Sequence, residues 1–287
     1  MDGDIDSVAA AGSGAGNAAV NGSNTTNSLT SSVKAIATSV TQTTGSSSFK
    51  VWAHDDSNIE SFAGTVSGGG TAAVGAALAL NFLGRTAGNE SASKIVSAEV
   101  TSSSLQVSGA VQVLADSNST VEALGVAAGG GGTFAVTGSN TTNILDDSIT
   151  AKWVGSTLVG GSGSLEVSAT DSSAVHALAG NFAGGGTVAV GAALSVNKIN
   201  TGVYALVQGT SSGQIVTGDV RIKADSDAVV DTIAVGMSAS GTAGVQGSVS
   251  ISQIATTTAS LVNSSAIIEA SDSVAVTANS NDRIQSL

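Results

Sequence analysis

The sequence predicts an all-β chain coiled into a parallel β-solenoid (β-helix), and three observations predict it. First, a glycine-rich step recurs: Gly68-Gly69-Gly70-Thr71, Gly130-Gly131-Gly132-Thr133 and Gly184-Gly185-Gly186-Thr187, with weaker copies at Ala15-Gly16-Asn17 and Ser240-Gly241-Thr242. Counted on the last residue of each step, the copies stand at 17, 71, 133, 187 and 242, at intervals of 54, 62, 54 and 55 residues. Fixed periods of this length mark solenoids, propellers or arrays. Second, the stretches after the step alternate with period two. Val188, Val190, Ala192, Leu194 and Val196 share one face, and Ala189, Gly191, Ala193 and Ser195 share the other. Third, the 287 residues contain no Pro, as expected where nearly every strand N–H serves a ladder.

The register can be tested by column. Twelve positions before each anchor stand Ile5, Ile59, Val121, Val175 and Val230; nine before stand Val8, Phe62, Leu124, Leu178 and Ile233. Ten positions after stand Asn27, Asn81, Asn143, Asn197 and Ser252, and the hexapeptide GSNTTN occurs from Gly22 and from Gly138 at the same offset. In order, each unit reads as strand, Gly turn, long strand, Asn turn, short strand, Gly/Ser turn and short strand. The small-residue face, with Gly75 and Gly191, is expected where another sheet approaches closely. Stacked Asn side chains would form a structural ladder of amides, each donating to the next carbonyl. The interval longer by eight places extra residues in a surface loop around Arg85 to Ser91. General crossover preference makes the coil right-handed. The alternative is a β-propeller, whose blades need four antiparallel strands in about 40–50 residues.

Composition bounds the function. Residues 1–287 read as a single elongated repeat array. A net charge of −12 argues against nucleic acid and anionic membrane surfaces as partners. No apolar run approaches the roughly 20 residues of a membrane-spanning helix, so no membrane insertion is expected. The absence of Cys excludes disulfides and thiolate chemistry.

Units such as Asp171 to Asn197, of the form D-S-x-x-V-x-A-L-A-G-x-x-A-G-G-G-T-x-A-V-G-A-x-L-x-V-N, resemble the passenger repeats of large bacterial surface proteins. These are the filamentous haemagglutinin-like, leukotoxin-type and autotransporter adhesins. The resemblance implies secretion to the surface of a Gram-negative-type bacterium, adhesion through a long stalk, and no catalytic residues. The expected role is therefore a non-catalytic stalk segment cut from a longer array, with a host or cell-surface receptor as its partner. The alternative is a subunit whose copies stack end to end into a filament or surface layer. An enzyme acting on acidic polysaccharides is a third reading; it needs clustered carboxylates and basic residues on one face.

Candidate chemistry is sparse. Gly209-Thr210-Ser211-Ser212-Gly213 matches G-x-S-x-G but has no His after it, and so reads as a turn. Asp56, Asp116, Asp171 and Asp225 read as one column of Asx turns. Eleven positions before each anchor stand Asp6, Glu60, Glu122, His176 and Asp231. Glu60, Glu122 and Asp231 in this row are the candidates for weak calcium binding; no other cofactor is expected. Such a row would repel itself if stacked at one coil spacing, so either each unit spans more than one coil or the row faces water.

Overall fold

The computed structural model describes residues 2–46, 48–86, 88, 90, 92–159, 163–209, 214–263 and 265–287. Every regular element is a β-strand. The first coil holds β1 (Asp2–Ala15), β2 (Ala18–Leu29), β3 (Ser32–Thr38) and β4 (Thr41–Ser46); the second holds β5 (Phe49–Gly69), β6 (Ala72–Leu83), β7 (Lys94–Thr101) and β8 (Ser104–Val107). The third holds β9 (Ala110–Gly131), β10 (Phe134–Val154) and β11 (Thr157–Val159); the fourth holds β12 (Ser164–Asp171), β13 (Ala174–Gly185), β14 (Val188–Gln208) and β15 (Gln214–Thr217). The fifth holds β16 (Asp219–Ser226), β17 (Val229–Ser240), β18 (Ala243–Asn263) and β19 (Ile267–Ala270), and β20 (Val274–Ser280) and β21 (Arg283–Ser286) begin a further level.

Three parallel sheets result, of nine, seven and five strands. Each coil runs through the first sheet, turns at the glycine step into the second, and returns through the short third sheet. Every strand pairs with its counterpart one repeat away, so one repeat is one coil. Uniformly parallel pairing excludes the propeller, whose blades are antiparallel. The sequence columns are the hydrogen-bonding register: Ile5, Ile59, Val121, Val175 and Val230 are successive partners. The five levels of the second sheet, spaced about 4.8 Å apart, rise roughly 19 Å, whereas a 21-residue strand such as β10 extends roughly 70 Å. The array is thus elongated along its strands and short along its axis.

Two expectations about the unit are corrected. No Asn turn exists, because the second strand runs unbroken through Asn143 to Val154 and through Asn197 to Gln208. The corner follows later, at left-handed Ser39, Ser102 and Gly155. The supposed Asp column is three rows on strands, and Asp56 pairs with Asp2 and Asn118. Asp55, Ser117, Asp171 and Ser226 are register partners, while Asp116 pairs with His54 and Thr170, and Thr170 with Asp225. The longer repeat arises between β6 and β7: Leu83 pairs with Leu145 and Lys94 with Asp147, so residues 84–93 replace the single Asp146. Part of the expected Arg85 to Ser91 loop lies outside the described residues.

The interior tapers. At the broad end the three sheets enclose a core that includes Val96, Leu105, Val113, Ile149, Trp153 and Val167. A second layer joins Ile59, Val121 and Val175 to Leu83, Leu145 and Ile199. Toward the glycine step the two long sheets close on each other through Ala63, Ala77, Ala123, Ala135, Ala183 and Ala189. A Cβ on Gly129 would stand 2.7 Å from Thr137 Cγ2, and one on Gly75 3.1 Å from Ser67 Oγ. The small-residue face therefore faces inward, against the other sheet. The large aliphatics point out, and Val66 and Val245 are 64% and 58% exposed. At the step itself successive turns stack so closely that a Cβ on Gly132 would fall 2.0 Å from Gly70 O.

Candidate functional site

Three polar features are built by this register: an amide ladder, an acidic row and a buried charged cluster. In the first, Asn27 Nδ2 donates to Asn81 Oδ1 at 2.8 Å, Asn81 to Asn143 at 2.8 Å and Asn143 to Asn197 at 2.7 Å. The ladder is buried inside the slab. Its second N–H donors cross to the facing sheet, from Asn27 to Ser7 Oγ, Asn81 to Ser61 Oγ and Asn197 to Thr232 Oγ1.

The acidic row lies on the outer face of the first sheet, where Asp6, Glu60, Glu122, His176 and Asp231 are successive partners. It faces solvent, which is how one-coil spacing is tolerated. His176 Nδ1 lies 3.5 Å from Asp231 Oδ2 and separates that carboxylate from Glu122. Glu60 and Glu122 are adjacent in the row, but Asp231 is not brought to them. Among the described residues no three acidic or histidine side chains converge on an ion-sized space. Beside the row runs an apolar ladder, Val8, Phe62, Leu124, Leu178 and Ile233, flooring a groove of about 610 Å³ with the acids on one bank. Phe62 lies down in it because its neighbour is Gly64, where a Cβ would stand 2.7 Å from the ring.

The third feature was not anticipated from sequence. Lys94, the first residue after the insertion, is 0% exposed. Its Nζ lies 2.6 Å from Asp55 Oδ2 and 3.3 Å from Asp147 Oδ2, and it also donates to Ser117 Oγ at 2.9 Å and to Ser119 Oγ. Asp171 is buried one level on, accepting from Ser173 Oγ at 2.6 Å. Burial pushes the Asp55 carboxyl up, but bonds from Lys94 and Ser57 outweigh it and hold the group below its ordinary value. Burial dominates at Asp147, which is raised despite Lys94. Asp171 is pushed up to about 7 by burial first and then by the Asp147 charge. Asp147 Oδ1 and Asp171 Oδ2 have no hydrogen-bond partner. Asp55 sits on the inward parity of β5 with Ile59, and the same offset from the anchors gives Ser117, Asp171 and Ser226. Counting from Asp55 instead of Asp56 would have exposed this row. Lys94 gives no such signal, since it interrupts the repeat.

Of the G-x-S-x-G match, Gly209 alone lies among the described residues. Trp52 is a surface residue whose Nε1 donates to Asp116 at 2.7 Å, with Lys50 Nζ 4.3 Å from its ring centre; Trp153 is core. Comparison with known proteins finds no matching family model, no similar curated protein and no similar solved structure.

Proposed function

We propose that the chain is a non-catalytic stalk segment of a secreted bacterial surface adhesin, displayed on a Gram-negative-type cell. The observation that carries this reading is the register itself: outside the insertion at residues 84–93, the long strands of successive coils pair like with like from Asp2 to Ser286, so the repeat propagates a nearly constant cross-section. Such an array is quasi-one-dimensional, each unit touching only its neighbours, which suits a spacer. The resemblance to adhesin passenger repeats, the strong acidic charge and the lack of Cys support the same reading. Electron microscopy of the purified chain tests it. Isolated thin particles roughly 70 Å across, from strands of this length, are expected. Long unbranched fibres would make the chain a filament subunit instead, and cleavage of an acidic polysaccharide by the purified chain would make it an enzyme.

A further inference from the structure

The buried cluster brings together a nucleophile, an electrophile and a base. Lys94 Nζ and both its carboxylate partners are withdrawn from water, their side chains 0% to 1% exposed. Lys94 and Asp147 are direct register partners on β7 and β10, and Nζ lies 3.3 Å from Asp147 Oδ2. On the other side Asp55 Oδ2 lies 2.6 Å from the same nitrogen, and Ser57 donates to that oxygen at 2.6 Å. We propose that Lys94 and Asp147 condense into an intramolecular amide crosslink between adjacent coils, with Asp55 as the base.

The two carboxyls divide the roles by environment. Asp55, held below its ordinary value by its bonds to Lys94 and Ser57, is the carboxylate that accepts a proton. Asp147, whose value burial raises, is the carboxyl that more readily takes up a proton; it reacts in that protonated form, and its Oδ1 has no partner to hold it. The ammonium of Lys94 transfers one proton to Asp55. The free amine attacks Asp147 Cγ, forming the Nζ–Cγ bond. The Cγ–OH bond then breaks, and the departing hydroxyl takes a second proton from Nζ and leaves as water. The third proton stays on the amide nitrogen, and Asp55 ends as a neutral acid. No oxidant, metal or co-reactant is needed.

Three properties of the site favour this outcome. Held reactants gain effective molarities of about 10⁵–10⁸ M over a bimolecular reaction. The product replaces a buried ion pair, whose desolvation is costly, by neutral groups. Hydrolysis back to the acid needs water, which the closed interior excludes. The crosslink would also fix β7 to β10 directly after the insertion, where the ladder is interrupted.

Mass spectrometry of the full chain under denaturing conditions tests the proposal without any variant. The expected result is an intact mass short of the sequence mass by one water, with tryptic digestion yielding a branched peptide that joins Lys94 to Asp147 and no cleavage after Lys94. Lys94→Met and Asp147→Ala should each restore the full mass, and Asp55→Ala should leave most of the chain uncrosslinked. The full sequence mass in the folded wild-type chain overturns the proposal. So does a water loss that maps to a cyclic imide at Asp2-Gly3, and a branch from Lys94 to Asp55 overturns the assigned roles.

Discussion

Asp171 shows how far one buried carboxyl can shape the pH response. Its folded value of about 7 stands well above the ordinary 3.8, so the folded state holds a proton that the unfolded chain releases. Stability should therefore fall as pH rises from about 4 to about 7 and then level off, by up to roughly 4 kcal/mol. Asp55, Glu99 and Asp282 are lowered and work in the opposite sense, losing their contribution as pH falls below their unfolded values. Asp171→Asn keeps the shape and removes its titration; urea midpoints measured from pH 4 to 7 should then decline less steeply, with raised Asp147 acting in the same sense. An unchanged slope would show that Asp171 titrates like an exposed acid. Asn143 makes a different contribution. Asn143→Leu removes the acceptor for Asn81 and the donor to Asn197 in a dry interior, and should cost about 2–4 kcal/mol in denaturant unfolding. A loss under 0.5 kcal/mol, roughly a surface substitution, would mean that the ladder contributes little. The Asn column was legible in sequence because its side chain repeats. Its position inside a strand was not, since Asn at a repeat position suggests a turn by local preference, and only the facing sheet supplies the extra partners that make a buried amide tolerable.

At the level of the strand, the outcome turns on which face is inside. Hydrophobic patterning alone buries the large aliphatics, yet in β14 it is Ala189, Gly191, Ala193 and Ser195 that are buried. The glycine step forces this choice: the chain reverses within a few residues, so the two long sheets are too close near the step for larger side chains. Gly191 is the sharpest instance. A Cβ there would stand 2.2 Å from both Asn181 Nδ2 and Gln246 Oε1, which are hydrogen-bonded to each other across the slab. Gly191→Val should cost at least 1–3 kcal/mol, roughly the overpacking range. Ala192→Val, at the next residue but on the opposite, exposed face of β14, should change stability by less than about 0.5 kcal/mol. Thermal unfolding of the two variants compares the faces directly, and equal effects would contradict the inversion. Pairing register was legible from the columns because parallel in-register stacking aligns like with like. The charged cluster was not, because it depends on an insertion that breaks the alignment.

For the whole molecule, the register makes the coil a removable unit. Deleting residues 134–187 joins Thr133 to Val188, the register partner of Phe134. The new neighbours already match: Asn81 meets Asn197, Val74 meets Val190 and Val121 meets Val230, each now one level apart. The deletion removes Asp147 and Asp171 together, leaving Lys94 paired with Asp55 and no surplus buried acid. Because each coil contacts only its neighbours, stability is nearly a sum of coil and interface terms. The shortened chain should therefore fold cooperatively, keep a β-type circular dichroism spectrum, and show a smaller denaturant m-value in proportion to the surface lost. Deleting only residues 134–156 supplies the contrast. It joins the glycine step to the third sheet, omits the second sheet from one coil, and should give an aggregated or unfolded product. If both deletions fold equally well, the strands do not depend on coil register. If neither folds, the coils are cooperative over more than nearest neighbours, and a spacer built by adding identical coils loses its physical basis.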